Sequence, residues 1–247
     1  MPGVKTARPM KLIKKSVKMG CLRGLRTLGL AVLLSGGSAS LQAGVFPGYG
    51  LEVAPGNSEL RLRELFFNGN YRELEGLPRA VGCDRAGLSS DFSRIIRGGA
   101  PRNEESIAYL KARGVVAILD LRTLGEVRRD GEPSWAEGLG VEYVSVPLTT
   151  TQHYSPQSCT PRETQLGLDT ERAVLEAVSQ LQRILAANPQ GKVYVHCARG
   201  QDRTGIVLGI ARRQLDGCPL RSVSQEMAAY FYTPYCNLNA AWARLTR

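Results

Sequence analysis

Histidine is nearly absent from this chain: its 247 residues include two, His153 and His196. That is too few for a metal centre built on imidazoles, and no cluster of cysteines at ligand spacing takes its place, so no metal is expected. Neither a dinucleotide-binding glycine fingerprint nor a Walker phosphate loop is present, and no cofactor is expected. A permanent membrane span needs roughly 20 apolar residues, and the run Leu28 to Leu34 (LGLAVLL) falls far short of that. Acidic residues are missing from residues 1–43, which carry eight Lys or Arg. Most of the formal net charge of +10 therefore sits in that segment, the remainder is close to neutral, and a nucleic-acid partner is not expected.

Residues 1–43 have the order of a secretory signal. A basic stretch runs to Arg26, the apolar run follows, small residues fill Ser35 to Ser40, and Ala43 precedes a Gly/Pro-rich stretch. Cleavage is expected after Ala43, with Ala39 as second choice, and Met10-Lys11 reads as a more natural signal start than Met1. The mature chain is expected to be exported, periplasmic or secreted, with no stable membrane insertion. Cleavage removes Cys21 and leaves Cys83, Cys159, Cys197, Cys218 and Cys236. An odd number in an exported protein suggests pairs plus one free thiol. If Cys197 is the free one, the other four form two disulfides in any of three connectivities, or some of them are small buried hydrophobes.

Apolar content of 43% and charged content of 22% suit one soluble domain. Residues 44–90 read as an N-terminal extension packing on a domain that spans 91–247. In that domain Ser93 to Arg97 is expected as a strand, and Asn103 as the cap of a helix through Ala112 that stops at Gly114. Val115 to Leu121 is a continuous apolar run of strand length, Val141 to Val146 is another strand, and Pro147 to Gly167 is a long polar loop. Asp169 to Ala187 repeats apolar residues at helical spacing (Val174, Val178, Leu181, Leu185) and ends at Asn188-Pro189. Lys192 to His196 is a strand, and Arg203 to Leu215, apolar on most sides, is a buried helix closed by Gly217. Ser222 and Gln225 read as a capping box for one more helix. Tyr230, Phe231, Tyr232, Tyr235 and Trp242 read as packing aromatics. Strands alternating with helices imply an α/β fold with a mainly parallel central sheet of four to five strands flanked by helices.

Between the last strand and the buried helix lies His196-Cys197-Ala198-Arg199-Gly200-Gln201-Asp202-Arg203-Thr204-Gly205. The gap from Cys197 to Arg203 is long enough to wrap a loop whose backbone N–H groups, from Ala198 through Gln201 onward, form a nest for phosphate oxygens. The loop empties into a helix N-terminus, which favours an anion. The same field lowers a thiol from about 8.5 to roughly 3.5–7.5, turning Cys197 into a nucleophilic thiolate. Arg203 can grip two phosphate oxygens with its planar fork, and the Thr204 hydroxyl is placed to hydrogen-bond the sulfur as it leaves. Such a combination arises by chance in about a few in 10⁵ chains of this length.

This loop resembles the HCx5R(S/T)G signature of the protein tyrosine and dual-specificity phosphatases. The upstream segment IIRGGAPRNEESIAYLKARGVVAILDLRTLGE is similar to the opening of their atypical dual-specificity branch, which includes exported bacterial enzymes. The resemblance covers roughly Asp91 to Trp242. It implies the cysteine-phosphatase fold, metal-free catalysis, a phosphocysteine on Cys197 and phosphate binding by Arg203. Asp120-Leu121-Arg122 and Glu126 match a segment of the family near the site and are expected to brace the loop.

A general acid for the leaving oxygen is worth typically 10² to 10⁴ in rate. The family usually supplies it as an aspartate from the loop after the third strand, yet Pro147 to Leu168 contains no Asp. Asp202, as in lipid-directed relatives, and Asp169, which reads equally as a helix cap, are the expected candidates, with Glu163 and His153 behind them. Arg199 resembles a residue of the branch acting on inositol pyrophosphates; it either recognises a further phosphate or is simply exposed. The expected substrate is a phosphorylated protein, with an inositol polyphosphate as the alternative. A phosphate-binding pseudophosphatase is the reading from another class.

Overall fold

Two apolar runs that need cover on both faces, Val115–Asp120 and Lys192–Cys197, lie side by side in the middle of one sheet. The computed structural model describes residues 67, 69–73, 92–128, 130–152, 158–230, 232–233 and 235–247. The predicted leader, Cys83, His153 and Phe231 lie outside them. In chain order the strands are β1 (Arg72–Glu73), β2 (Ile95–Gly99), β3 (Val115–Asp120), β4 (Glu142–Ser145) and β5 (Lys192–Cys197). Their order across the sheet is β1-β2-β5-β3-β4, with every pairing parallel except β1 on β2. This is the expected α/β layer structure. β1 comes from the segment read as an extension, where Phe67 and Tyr71 are also buried.

The helices are α1 (Glu104–Ala112), α2 (Leu124–Val127), α3 (Glu132–Gly138), α4 (Pro161–Gln165), α5 (Gly167–Ala187), α6 (Asp202–Asp216), α7 (Leu220–Ala229) and α8 (Cys236–Leu245). Strand side chains alternate between the two faces. Ala117, Leu119, Val193 and Val195 pack into one core with Val174, Val178 and Leu181 of α5 and Ile206, Val207 and Ile210 of α6. Ile96, Ile118 and Tyr194 face the other core, beside Ile107 and Leu110 of α1, Ala136 of α3, and Phe67 and Tyr71. α6 is buried from Arg203 through Arg212, as its apolar surroundings require, and Gly217 ends it at φ 64.

Several boundaries differ from the sequence reading for local reasons. Phe92–Arg94 is a 3-10 turn, and the strand that follows runs to Gly99 because β5 pairs with it as far as Cys197. The polar loop before α5 contains α4, started by a Thr160–Glu163 capping box, and α5 begins at Gly167, so Asp169 lies in its first turn and does not cap it. α7 starts after Pro219, whose carbonyl accepts from Val223 N; Ser222 is buried within the helix, and Pro219 holds the N-cap position.

Cys159 and Cys236 form a disulfide, Cys218 is also disulfide-bonded, and Cys197 is the free cysteine among the described residues. The Cys159–Cys236 bond closes a separation of 77 residues and ties the segment before α4 to the start of α8. Closing a loop of that size restricts the unfolded chain, so the double variant Cys159→Ala/Cys236→Ala is expected to cost about 4 kcal/mol and lower Tm by about 10 °C. An unchanged melting temperature would count against this. Among the described residues, no helix is long and apolar enough to cross a membrane.

Candidate active site

β5 ends in His196-Cys197 between two parallel neighbours, at the carboxyl edge where open α/β sheets place their sites. The chain then turns through Ala198–Gln201 into α6. Gly200 sits at φ 68, and a Cβ there would run into the Gly98 carbonyl, so this turn requires glycine. Cys197 is 3% exposed. Burial alone would raise its thiol; the Arg203 guanidinium, the hydroxyl and amide of Thr204 and the Arg199 amide outweigh that and hold it below its ordinary value. The buried Thr204 hydroxyl has no other partner among the described residues.

Arg203 is fixed from behind. Its Nη1 and Nη2 donate to Glu126 Oε2 and Oε1 at 2.7 and 2.8 Å, a fork-to-fork pair. Glu126 Oε2 also accepts from Thr123 N and Oγ1 at 2.8 and 2.9 Å, which anchors it at the start of α2. Partial burial pushes this carboxyl up, but Arg203 and Thr123 hold it at about 2.

Beneath the loop, His196 Nε2 lies 2.9 Å from Glu132 Oε1 and 3.8 Å from Asp120 Oδ1, all three side chains fully buried. Burial would keep the imidazole neutral; the two carboxylates prevail and push it up to about 9. Asp120, Glu132 and His196 are close enough to offer three ligand atoms to a metal ion. Arg122 donates to Asp120 and Glu132 of this cluster and to Asp130, so the cluster carries its own cation and reads as a structural ion network. Asp120 and Arg122 thus belong to the ion network around His196, and Glu126 holds Arg203.

A cleft of about 510 Å³ opens over the loop, lined there by Cys197, Ala198, Arg199, Gln201, Asp202 and Arg203. Glu126, Thr150, Thr233 and Tyr235 also line it. Sequence patterning assigns Tyr235 to packing and passes over Thr150 and Thr233. Their placement depends on long-range ties: Asn237, fully buried, donates to Thr149 O at 2.9 Å and accepts from Thr151 N at 3.2 Å, and the Cys159–Cys236 bond holds the same region. The pair Cys159 and Cys236 is the one sequence signal that could have pointed to this part of the cleft.

Among the described residues, two carboxylates line the cleft. Glu126 is committed to Arg203. Asp202 accepts from Thr233 N through Oδ1 at 2.7 Å, and burial raises its carboxyl in spite of that bond and of Arg203 nearby. Asp169 lies elsewhere: its side chain is 71% exposed, pairs with Arg172 at 3.3 Å, and does not line the cleft. Glu163 is used in the capping box of α4, accepting from Thr160 N and Oγ1. Gly200 and Thr204 are buried behind the loop surface, and Arg199 is exposed at the rim of the cleft.

Comparison with known proteins gives one family match: the model described as "Tyrosine phosphatase family" matches residues 68–226. No curated protein matches the chain by sequence. Similar solved structures include TpbA of P. aeruginosa, at 22% identity and a TM-score of 0.41, covering 61% of this chain and 78% of that one. A mutant form of Tk-PTP is 19% identical with a TM-score of 0.46, covering 62% and 89%. The core catalytic domain of the PP-IP phosphatase SIW14 from S. cerevisiae is 19% identical with a TM-score of 0.44, covering 62% and 81%.

Proposed function

The chain belongs to the tyrosine phosphatase family, and from that premise we propose that it hydrolyses phosphate monoesters through a phosphocysteine intermediate on Cys197. The observation that carries this reading is the free thiol, held low by Arg203 and Thr204, at the base of an open cleft. The Cys197 thiolate attacks phosphorus in line with the scissile P–O bond. As the S–P bond forms and the P–O bond breaks, Asp202 gives its proton to the leaving oxygen. Arg203, oriented by Glu126, and the inward amides balance the charge on the equatorial oxygens. Water then attacks the phosphocysteine, Asp202 takes its proton, and the departing sulfur is stabilised as thiolate by Arg203 and the Thr204 hydroxyl.

The proposed substrate class is phosphotyrosine or phosphoserine/threonine in proteins, and the proposed setting is outside the cytoplasm. The basic, apolar, small-residue order of residues 1–43 supports export, and the Cys159–Cys236 disulfide is in keeping with an oxidising compartment. Membership of the atypical dual-specificity branch rests on the segment from Ile95 to Glu126. A second reading, action on an inositol polyphosphate, is favoured by Arg199, an exposed cation on the cleft rim. The test is phosphate release from p-nitrophenyl phosphate, phosphotyrosine and phosphoserine peptides, and inositol polyphosphates. Turnover of the peptides is expected. Turnover of inositol polyphosphates alone would replace the first reading with the second, and no turnover of any of them would leave a phosphate-binding pseudophosphatase.

A further inference from the structure

The carbonyls of five consecutive loop residues each accept a hydrogen bond from outside the cleft. Cys197 O faces His196 Nδ1 at 3.3 Å, Ala198 O accepts from Ala100 N at 3.2 Å, and Arg199 O accepts from Asn70 Nδ2 at 3.2 Å. Gly200 O accepts from Arg97 Nη2 at 2.7 Å, and Gln201 O from Gly205 N at 2.8 Å. In a trans peptide the C=O of one residue and the N–H of the next point to opposite sides. Holding these carbonyls outward therefore turns the amides of Ala198 through Asp202 inward, towards the place an anion would occupy. The Arg199 amide, which hydrogen-bonds the Cys197 sulfur, points as this requires.

Two of the five donors are side chains remote from the loop in sequence, and neither belongs to the signature. Asn70 precedes β1 at φ 50, a left-handed conformation that asparagine tolerates better than most residues. Arg97 is 1% exposed and lies 3.8 Å above the Tyr230 ring; among the described residues its Nε has no partner, and no carboxylate lies in hydrogen-bonding contact with it. A buried guanidinium without a counter-ion is costly. Desolvation lowers it to about 10, so it stays charged at neutral pH, and Tyr230, the Glu226 carboxylate and the Cys197 thiolate favour its charge, in that order.

We propose that Asn70 and Arg97 are positioning residues of the phosphate cradle, which hold the Arg199 and Gly200 carbonyls outward so that the loop amides meet the anion. The proposal rests on the phosphatase reading. It also makes the segment ahead of β1 part of the working site, since Asn70 acts from there.

The test uses the full chain and does not depend on turnover. Inorganic phosphate is titrated against alkylation of Cys197 by iodoacetamide, followed by mass spectrometry of the Cys197 peptide, with melting temperatures measured in parallel. Asn70→Asp keeps the shape but puts an oxygen against the Arg199 carbonyl. Asn70→Gly removes the donor and suits the left-handed backbone, so it carries the comparison if the aspartate variant loses stability. For Asn70→Gly the half-protecting phosphate concentration is expected to rise about fivefold, as for loss of one neutral hydrogen bond, and for Arg97→Met by at least about tenfold. Arg97→Lys, which keeps the charge, is expected to recover part of the loss. If phosphate protects the parent and both Asn70 variants at the same concentration, the proposal is overturned while the phosphatase reading stands. If phosphate fails to protect the parent, both fall together.

Discussion

Cys197→Ser is expected to reduce turnover of p-nitrophenyl phosphate by at least about 10⁴-fold, the scale seen when an enzyme loses its nucleophile. Serine keeps the shape, but its hydroxyl cannot reach the anionic state that the Arg203 guanidinium, the Thr204 hydroxyl and the inward amides sustain on sulfur. Those groups remain in place in the variant and continue to face a phosphate. Removing the thiolate also removes a negative charge from beneath the incoming dianion. Affinity for inorganic phosphate, measured by calorimetry, is therefore expected to stay equal to that of the parent or to increase. Retained turnover would eliminate the covalent mechanism. Loss of both turnover and phosphate binding would show that the substitution disturbed the loop itself, and a Cys197→Ala variant would then be needed to isolate the sulfur.

Asp202→Asn is expected to slow hydrolysis by about 10² to 10⁴, the usual contribution of a general acid, with the larger losses on substrates whose leaving oxygen is more basic. The pH profile carries the sign. Cys197 must be ionised to attack and its thiol is shifted down, so activity rises with pH through the thiol's pKa. Asp202 must be protonated to donate and its carboxyl is shifted up, so activity falls as pH rises through the carboxyl's pKa. The amide that replaces this carboxyl cannot lose a proton in the same range, so the variant is expected to keep the rising limb and lose the falling one. Asp169→Asn is expected to leave both limbs in place, because the exposed Asp169 pairs with Arg172 away from the cleft. A falling limb that persists in Asp202→Asn would assign the proton to another group.

The strands Val115–Asp120 and Lys192–Cys197 and the buried helix after the loop are legible in the sequence as runs of apolar residues, because a central strand and a helix covered on most sides must be apolar along their length. α4 is not, because the five residues Pro161–Gln165 are too few to show an apolar helical period, and the segment therefore reads as loop. Ser222 misleads as a cap because a serine within a helix and a serine at its start look alike until its burial is known.

The linear sequence by itself marked out the proposed nucleophile, the guanidinium beside it and the turn between them. All of them lie between Cys197 and Gly205, where one strand end and one helix start dictate the geometry locally. Tertiary structure alone decided what surrounds that turn: Glu126 gripping Arg203, Asn70 and Arg97 reaching the loop carbonyls, and Tyr235 and Thr150 lining the cleft. It also decided that Asp202 lines the cleft while Asp169 faces solvent. Those relations join residues far apart along the chain. They follow from the β1-β2-β5-β3-β4 strand order and from burial, which no spacing along the chain encodes.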